Sequence, residues 1–374
     1  MHKSAIVIGG GIVGLATARA LGAREYKVTV IERTQKAVGA SIRNFGMIWP
    51  IGQPGGKMYE RAMLSRGIWT GVCKEAKIWY EETGSLHTAY HKDEWKVLEE
   101  FNELTCHQRN CHLLSARETI QSSEAVVAEN LLGSLFSEDE MIVDPREAME
   151  KIPAWLTEKY GVRFIWGKAV TTICYPEVYT GKEVFAADEI YVCSGADFET
   201  LYPEIYTATQ ITKCKLQMLR LAAQPGKWRL GPALCGGLSL VHYKSFASAS
   251  SLALLTERFE KEYPDYLKWG IHVMVAQNQS GELTAGDSHE YGLTHDPFDR
   301  QFINQLILDY LKTFARFGDE TIIETWNGIY PKLTNGNTEL VVYPESGVTI
   351  INGLGGAGMT LSFGLCEQLV SSSY

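Results

Sequence analysis

The chain has 374 residues, 45% hydrophobic and 21% charged, which is long enough for two folded domains or one large domain carrying an insertion. Its 35 basic against 44 acidic residues leave a net charge of -9, which argues against a nucleic-acid or anionic-membrane surface. Eight scattered cysteines with no CxxC pair read as free thiols in a reducing compartment, not as a disulfide framework. The one Cys/His cluster, Cys106, His107, Cys111 and His112, lacks tight ligand spacing and a second matching pair, so no metal site is predicted. Residues 5–21 are apolar but broken by glycines, a threonine and Arg19. They are short for a membrane span and are followed by no cleavage site, and a cytoplasmic protein is expected.

In chain order, 5–8 (AIVI) reads as a buried strand, 9–14 as a glycine turn and 12–23 as a helix. Residues 27–32 (KVTVIE) form a second strand, apolar at Val28, Val30 and Ile31 as in parallel strands buried on both faces. Amphipathic helices follow at 64–83 and 145–160, and an apolar strand at 188–194 ends in Gly195. From about Lys213 the texture changes. KLQMLRLAA (215–223), LSLVHYKSF (238–246), WGIHVMVAQ (269–277) and GELTAGDS (281–288) read as strands of an antiparallel sheet with one face in use. A helix is predicted over 299–316, and then a strand at 348–351 runs into NGLGGAGMT and a helix over 361–370. Strand, glycine turn and helix thus both open and close the chain. The prediction is an α/β fold (α+β overall): a Rossmann-like cofactor domain from 1–85, 140–210 and 320–374, with an inserted antiparallel-sheet substrate domain from 86–139 and 211–319.

Gly9-x-Gly11-x-x-Gly14 meets the dinucleotide fingerprint in its required setting between a strand and a helix. The first glycine makes the tight turn, the second admits a pyrophosphate to the backbone, and the third lets helix and strand pack closely. The helix N-terminus, beginning with Ile12 and Val13, then offers free N–H groups to the phosphates. Glu32, at the end of the next strand, can accept hydrogen bonds from a ribose diol. Its charge disfavours a 2′-phosphate and hence NADP, although Arg33 beside it weakens that argument.

With these stand further motifs: Ala40-Ser41-x-Arg43-Asn44-x-Gly46, Val143-Asp144-Pro145, Val170, Cys193-Ser194-Gly195-Ala196, Gln217, Gly286-Asp287-Ser288, Trp326-x-Gly328 and Gly353-x-Gly355-Gly356-x-Gly358-Met359-Thr360. In this order they resemble the FAD-dependent oxidoreductases related to D-amino-acid oxidase, glycine oxidase and sarcosine oxidase, over nearly the whole chain. The resemblance implies a Rossmann-like FAD-binding domain. Ser41, Arg43, Asn44, Phe45 and Gly46 would pass the pyrophosphate and ring, Val170 would hold the adenine, and Ser194, Gly195 and Ala196 would line the same cleft. Gly328 and the turn Gly355, Gly356, Ala357, Gly358, Met359 and Thr360 would face the flavin, whose reduced pyrimidine edge free N–H groups would stabilise. Because 326–334 contains no cysteine, the FAD is expected to be noncovalent.

The resemblance further implies oxidation of a small primary or secondary amine by hydride transfer to flavin N5, followed by hydrolysis of the imine to an aldehyde. Where glycine-oxidase-like members carry a carboxylate-binding arginine, this chain has Tyr330. Several stretches, GELTAGDSHEYG among them, look like a subgroup associated with aminophosphonates such as 2-aminoethylphosphonate or its N-methyl derivative. Glycine, sarcosine or a D-amino acid is the alternative substrate. Tyr243 and Tyr330 are the candidate catalytic residues, and Arg43, His242, Lys244, His272 and Lys332 the candidate substrate ligands. On a strand at 239–246, His242 and Lys244 would share one face and Tyr243 the other. No general base is named, and the electron acceptor and oligomeric state stay open. An NAD-dependent dehydrogenase, an RNA-modifying flavoprotein and an inactive binding protein are the rival readings.

Overall fold

In the computed structural model, which describes residues 2–372, the opening strand Ser4–Ile8 lies inside a six-stranded sheet. It pairs in parallel with Lys27–Glu32 on one side and with Glu189–Val192 on the other, and the latter pairs in parallel with Val348–Asn352. Arg163–Trp166 and Leu340–Val342 form the two edges. Val7, Val30, Val192 and Ile350 are fully buried, as strands covered on both faces require. The helix Ile12–Gly22 packs between the closing helix Gly358–Ser372 and the helix Pro145–Tyr160. The last of these starts where predicted. Pro145 occupies its first turn, the Asp144 carboxylate accepts from the N–H groups of Arg146 (2.8 Å) and Glu147 (3.2 Å), and Gly161 ends it in the left-handed conformation.

A second, larger sheet is organised on Ile211–Leu221. Along one side this strand pairs with Ile322–Leu333, and along the other with Glu290–Gly292 and then Leu283–Gly286, all antiparallel. The sheet continues through Met274–Gln277, Ala233–Cys235, Ser85–Ala89 and Gly133–Ser137 to Cys111–Ser115. One junction, Ala233–Cys235 with Ser85–Ala89, is parallel. One face of the sheet packs on the helix Gln301–Phe314, whose Ile303, Ile307 and Phe314 join the main core. The other face presents Cys214, Leu216, Met218 and Tyr330 to Ala40, Phe45 and Trp326. Strand Ile322–Leu333, numbered with the cofactor-binding segments in the sequence division, hydrogen-bonds within this larger sheet.

Two expected elements differ. The helix placed at 64–83 runs instead over Lys57–Ala76: it begins directly after Gly55–Gly56 and stops where Lys77 adopts the left-handed conformation. The segment 238–246 is not a strand. Ala233–Cys235 is already paired on both sides, so the chain leaving it cannot pair beside it. It turns at Gly236–Gly237 and winds into a short helix, Leu238–His242, continued by a tighter turn, Lys244–Ser248. Leu238 donates its N–H to the Tyr310 hydroxyl (2.9 Å), and Tyr243 donates to the Ser239 carbonyl (3.1 Å). Helical spacing buries Phe246 fully, with its ring 4.6 Å from that of Phe101 and 5.2 Å from that of His87. Truncation of a fully buried aromatic removes its contacts and leaves a cavity. Phe246→Ala is therefore expected to lower the unfolding free energy by about 3–5 kcal/mol, read as a lower denaturation midpoint at unchanged slope.

Candidate active site

Both glycine turns open onto one cavity of about 370 Å³. The first turn is held shut by its glycines. Gly9 has φ +108°, and a Cβ there would lie 2.3 Å from the Cys193 carbonyl oxygen; a Cβ on Gly14 would lie 1.9 Å from the Gly9 carbonyl oxygen. Gly11, by contrast, faces the cavity, and its Cβ would meet only the Ser41 Oγ at 3.1 Å. Ile12 donates its N–H to that Oγ (2.9 Å), so Ser41 stands at the N-terminus of the first helix. The Glu32 carboxylate is fixed by three donors: Gly10 N–H at 2.7 Å, Thr34 N–H at 2.9 Å and Thr34 Oγ1 at 2.7 Å. Arg33 is ion-paired with Asp197, so its charge is matched on the same wall.

Of the residues the sequence assigned to the cofactor, all line this cavity except Gly14, Gly46, Ala357 and Thr360. Gly14 and Gly46 serve packing, since a Cβ on Gly46 would lie 1.9 Å from the Val143 carbonyl oxygen. Thr360 is turned away: its Oγ1 accepts from the Trp49 N–H at 2.9 Å. Asn44 folds its own turn, donating to the Ala40 and Ser41 carbonyls and accepting from the Gly46 N–H. Two helix N-termini, a pinned carboxylate and a turn kept free of Cβ atoms together fit an extended dinucleotide carrying a pyrophosphate and a ribose.

Beyond the second glycine turn the cavity meets the larger sheet at Leu216, Met218, Asp287, Gly328 and Tyr330. The Tyr330 hydroxyl lies 3.5 Å from where a Cβ on Gly356 would be, and Lys332 forms an isolated bridge with Leu354. Around them gather His242, Tyr243, His272, His289 and Tyr291. The rings of His242 and His272 stack at 3.6 Å, His242 and Tyr243 lie 5.1 Å apart, and His289 stands 6.5 Å from Tyr330. Lys332 reaches the Tyr291 hydroxyl at 3.5 Å. Five of the seven candidate substrate or catalytic side chains are thus near one another. Arg43 lies on the cavity wall and donates to the Asn327 carbonyl at 3.1 Å. Lys244 is exposed and donates to the Gly336 carbonyl (3.1 Å), turned away from His242 by the helical turn at 238–248, yet near enough to Lys332 for its charge to lower that ammonium.

Asp287, His289 and Tyr291 stand in stretches that carry the resemblance, Gly286-Asp287-Ser288 and GELTAGDSHEYG, but were assigned no role at the site. Their period-two spacing, Asp-x-His-x-Tyr, was the available signal for one face of a strand. Burial raises the phenols of Tyr243 and Tyr330 well above their usual range, so both remain hydroxyl donors. Burial also pulls His242 well down and His289 down to about 4, leaving neutral imidazoles at neutral pH. Burial raises the Asp287 carboxyl, and the His289 and His272 rings lower it below the ordinary carboxylate range when they carry a proton, a support that His289 does not give at neutral pH. Among the described residues, His242, His272 and His289 are the group able to approach a metal ion, with ligand atoms within 4.8 Å of one another. Metal–nitrogen bonds of about 2.1 Å hold two ligand atoms no more than about 4.2 Å apart, a spacing below that bound.

No helix among the described residues is long and apolar enough to cross a membrane. D-amino acid dehydrogenase of Helicobacter pylori is 27% identical over 257 residues, 53% of this chain and 61% of that protein. L-2-hydroxyglutarate dehydrogenase, mitochondrial, of Dictyostelium discoideum is 29% identical over 162 residues, 41% of this chain and 36% of that protein. The chain therefore matches less than two thirds of the length of these relatives. Glycine oxidase from Geobacillus kaustophilus superposes with a TM-score of 0.78 over 99% of this chain and 94% of that one, at 17% identity. L-proline dehydrogenase from P. horikoshii gives 0.78 over 99% and 92%, at 20% identity, so the fold is shared. Over residues 4–371 the sequence matches the DAO family of FAD dependent oxidoreductases, and the chain belongs to that family.

Proposed function

We propose that the chain oxidises a small amine bearing an anionic group, with an aminophosphonate such as 2-aminoethylphosphonate or its N-methyl derivative as the fitting substrate. Gly11 and the Ile12 helix N-terminus would receive the FAD pyrophosphate, Glu32 a ribose, and Val170 with Ser194–Ala196 the adenine side. Gly355, Gly356, Gly358 and Met359 would face the pyrimidine edge. Bound there, FAD would supply a two-electron acceptor for the C–H bond beside the amine nitrogen. This chain's own side chains would bind and orient. Lys332 is the observation that carries the reading: a cation beside the second glycine turn with no ion-pair partner among the described residues. Burial pulls its ammonium below the ordinary lysine value, and a bound anion would push it back. The Tyr330 and Tyr243 hydroxyls, kept protonated, add neutral donors.

Oxidation of an α-amino acid is the second reading, favoured by Arg43 on the cavity wall as a guanidinium able to meet a carboxylate. The cavity-wall cysteine, Cys193, supports noncovalent FAD. Its sulfur lies 3.8 Å from Thr17 Oγ1, and burial holds the thiol well above its usual range.

Acid precipitation is expected to release the yellow cofactor into the supernatant; colour retained in the pellet would contradict this. Glu32→Ala removes the acceptor of three hydrogen bonds at the ribose end. It should weaken FAD binding at least about tenfold, on the order of 1.5 kcal/mol, in a fluorescence titration of the apoprotein. Mixed anaerobically with millimolar 2-aminoethylphosphonate, the enzyme should lose its visible flavin absorbance faster than with glycine or D-alanine; no bleaching, or the reverse order, counts against the aminophosphonate. For the preferred amine, Lys332→Met should raise the half-saturating concentration about 10–100-fold while the limiting reduction rate changes little.

A further inference from the structure

We propose that Asp287 and His289 form an ammonium-binding subsite at the wall of the cavity, so that the site takes a zwitterion with its cationic end at Asp287 and its anionic end at Lys332. The inference rests on the reading of the substrate as an amine with an anionic group. Its geometry is local. His289 Nδ1 lies 2.8 Å from the Gly270 carbonyl oxygen, which can only accept, so Nδ1 carries the hydrogen and Nε2 is left as an acceptor. That Nε2 stands 3.9 Å from Oδ2 of Asp287, another acceptor. Two acceptors facing each other at this distance repel, unless a donor or a cation serves both.

The other Asp287 oxygen points to the same gap in the bonding. Oδ1 is buried and lies 3.1 Å from His272 Nε2, a contact at the margin of a hydrogen bond, and has no other partner among the described residues. Asp287 is 6% exposed and yet lines the cavity beside Met218 and Tyr330. A buried carboxylate with an unfilled valence is unfavourable unless a ligand completes it. A substrate ammonium has three N–H donors and a full positive charge, and suits one carboxylate plus one imidazole lone pair. A hydroxyl in its place offers one donor and no charge, so it would leave most of the desolvation of Asp287 uncompensated. A metal ion is the competing cation.

Calorimetry on the FAD-loaded enzyme with its flavin chemically reduced, where no turnover occurs, tests this with two matched pairs. The pairs are 2-aminoethylphosphonate against 2-hydroxyethylphosphonate, and ethylamine against ethanol. The wild-type enzyme is expected to prefer the amine at least about 20-fold. Asp287→Asn should reduce that preference to within about threefold, mainly by weakening the amine member, and Asp287→Glu should restore it in part. The second pair carries no phosphonate. An amine preference there that Asp287→Asn removes supports the subsite even if neither phosphonate binds, a result that would defeat only the aminophosphonate reading. Equal affinity of the wild-type enzyme for amine and hydroxyl in both pairs overturns the subsite without need of a variant. So does one equivalent of a transition metal in the purified holoenzyme, measured by elemental analysis.

Discussion

The parallel alignment of Ser4–Ile8, Glu189–Val192 and Val348–Asn352 is the constraint on which the site depends. Three parallel neighbours end at one edge of the sheet, so whatever follows each strand projects to the same side. After the first comes Gly9–Gly14, after the second Cys193–Ala196, and after the third Gly353–Gly358. The chain runs from the first strand outward to Lys27–Glu32 on one flank and later returns to build the other flank, which makes the junction between Ser4–Ile8 and Glu189–Val192 a switch point. At such a point the connections diverge and leave a crevice between them. Two helix N-termini far apart in sequence are brought together there by topology alone, each with backbone N–H groups that the helix cannot satisfy.

The larger sheet carries the other half of the arrangement. Its spine, Ile211–Leu221, is about twice the usual strand length, and its pairing with Ile322–Leu333 keeps one register from Ile211 to Arg220, shifting only at Leu221. Cys214 opposite Tyr330 and Leu216 opposite Gly328 set which residues face the cavity. A shift of one position would bury Tyr330 on the helix side and turn Ile329 toward the glycine turn. The glycine at 328 is dictated by this closeness, since a Cβ there would lie 3.1 Å from the Arg43 carbonyl oxygen. Register in one sheet and the strand-end turns of the other therefore meet at a single place.

What the sequence showed and what it hid follow from this geometry. Strand, glycine turn and helix are local patterns, and both copies were legible, as was the acid at Glu32. The grouping of Tyr330, Lys332, His242, His272 and Tyr243 was anticipated in membership but not in cause. His242 was assigned to a strand because LSLVHYKSF alternates, whereas Ala233–Cys235 is paired on both sides and the chain beyond it leaves the sheet in a helical turn. That fact lies in the pairing of Ala233–Cys235 with two distant strands, which no local pattern encodes. Asp287 and His289 were passed over for a related reason. Their significance arises from His272, which approaches Asp287 across the sheet, and from Gly270, whose carbonyl fixes the His289 tautomer.

The electrostatics of the chamber then follow from burial acting with opposite sign on different groups. Desolvation disfavours every charged form, so it keeps the phenols of Tyr243 and Tyr330 protonated and the imidazoles of His242 and His289 neutral. Asp287 and Lys332, beside the glycine turn, are groups of opposite sign there whose ordinary state is ionic, with the Arg43 guanidinium a third on the cavity wall. A negative and a positive group separated by neutral donors and acceptors make a dipole with no net charge. Such a pair is least unfavourable to bury when each end is met by its opposite, and most unfavourable when only one end is met. Asp287 already raises the Lys332 ammonium in part, and under the proposed subsite a ligand with a single charge would meet only one of the two, whereas a zwitterion of matching length would meet both. On the proposed reading, selectivity would then be set by the spacing of two charges rather than by the strength of either one.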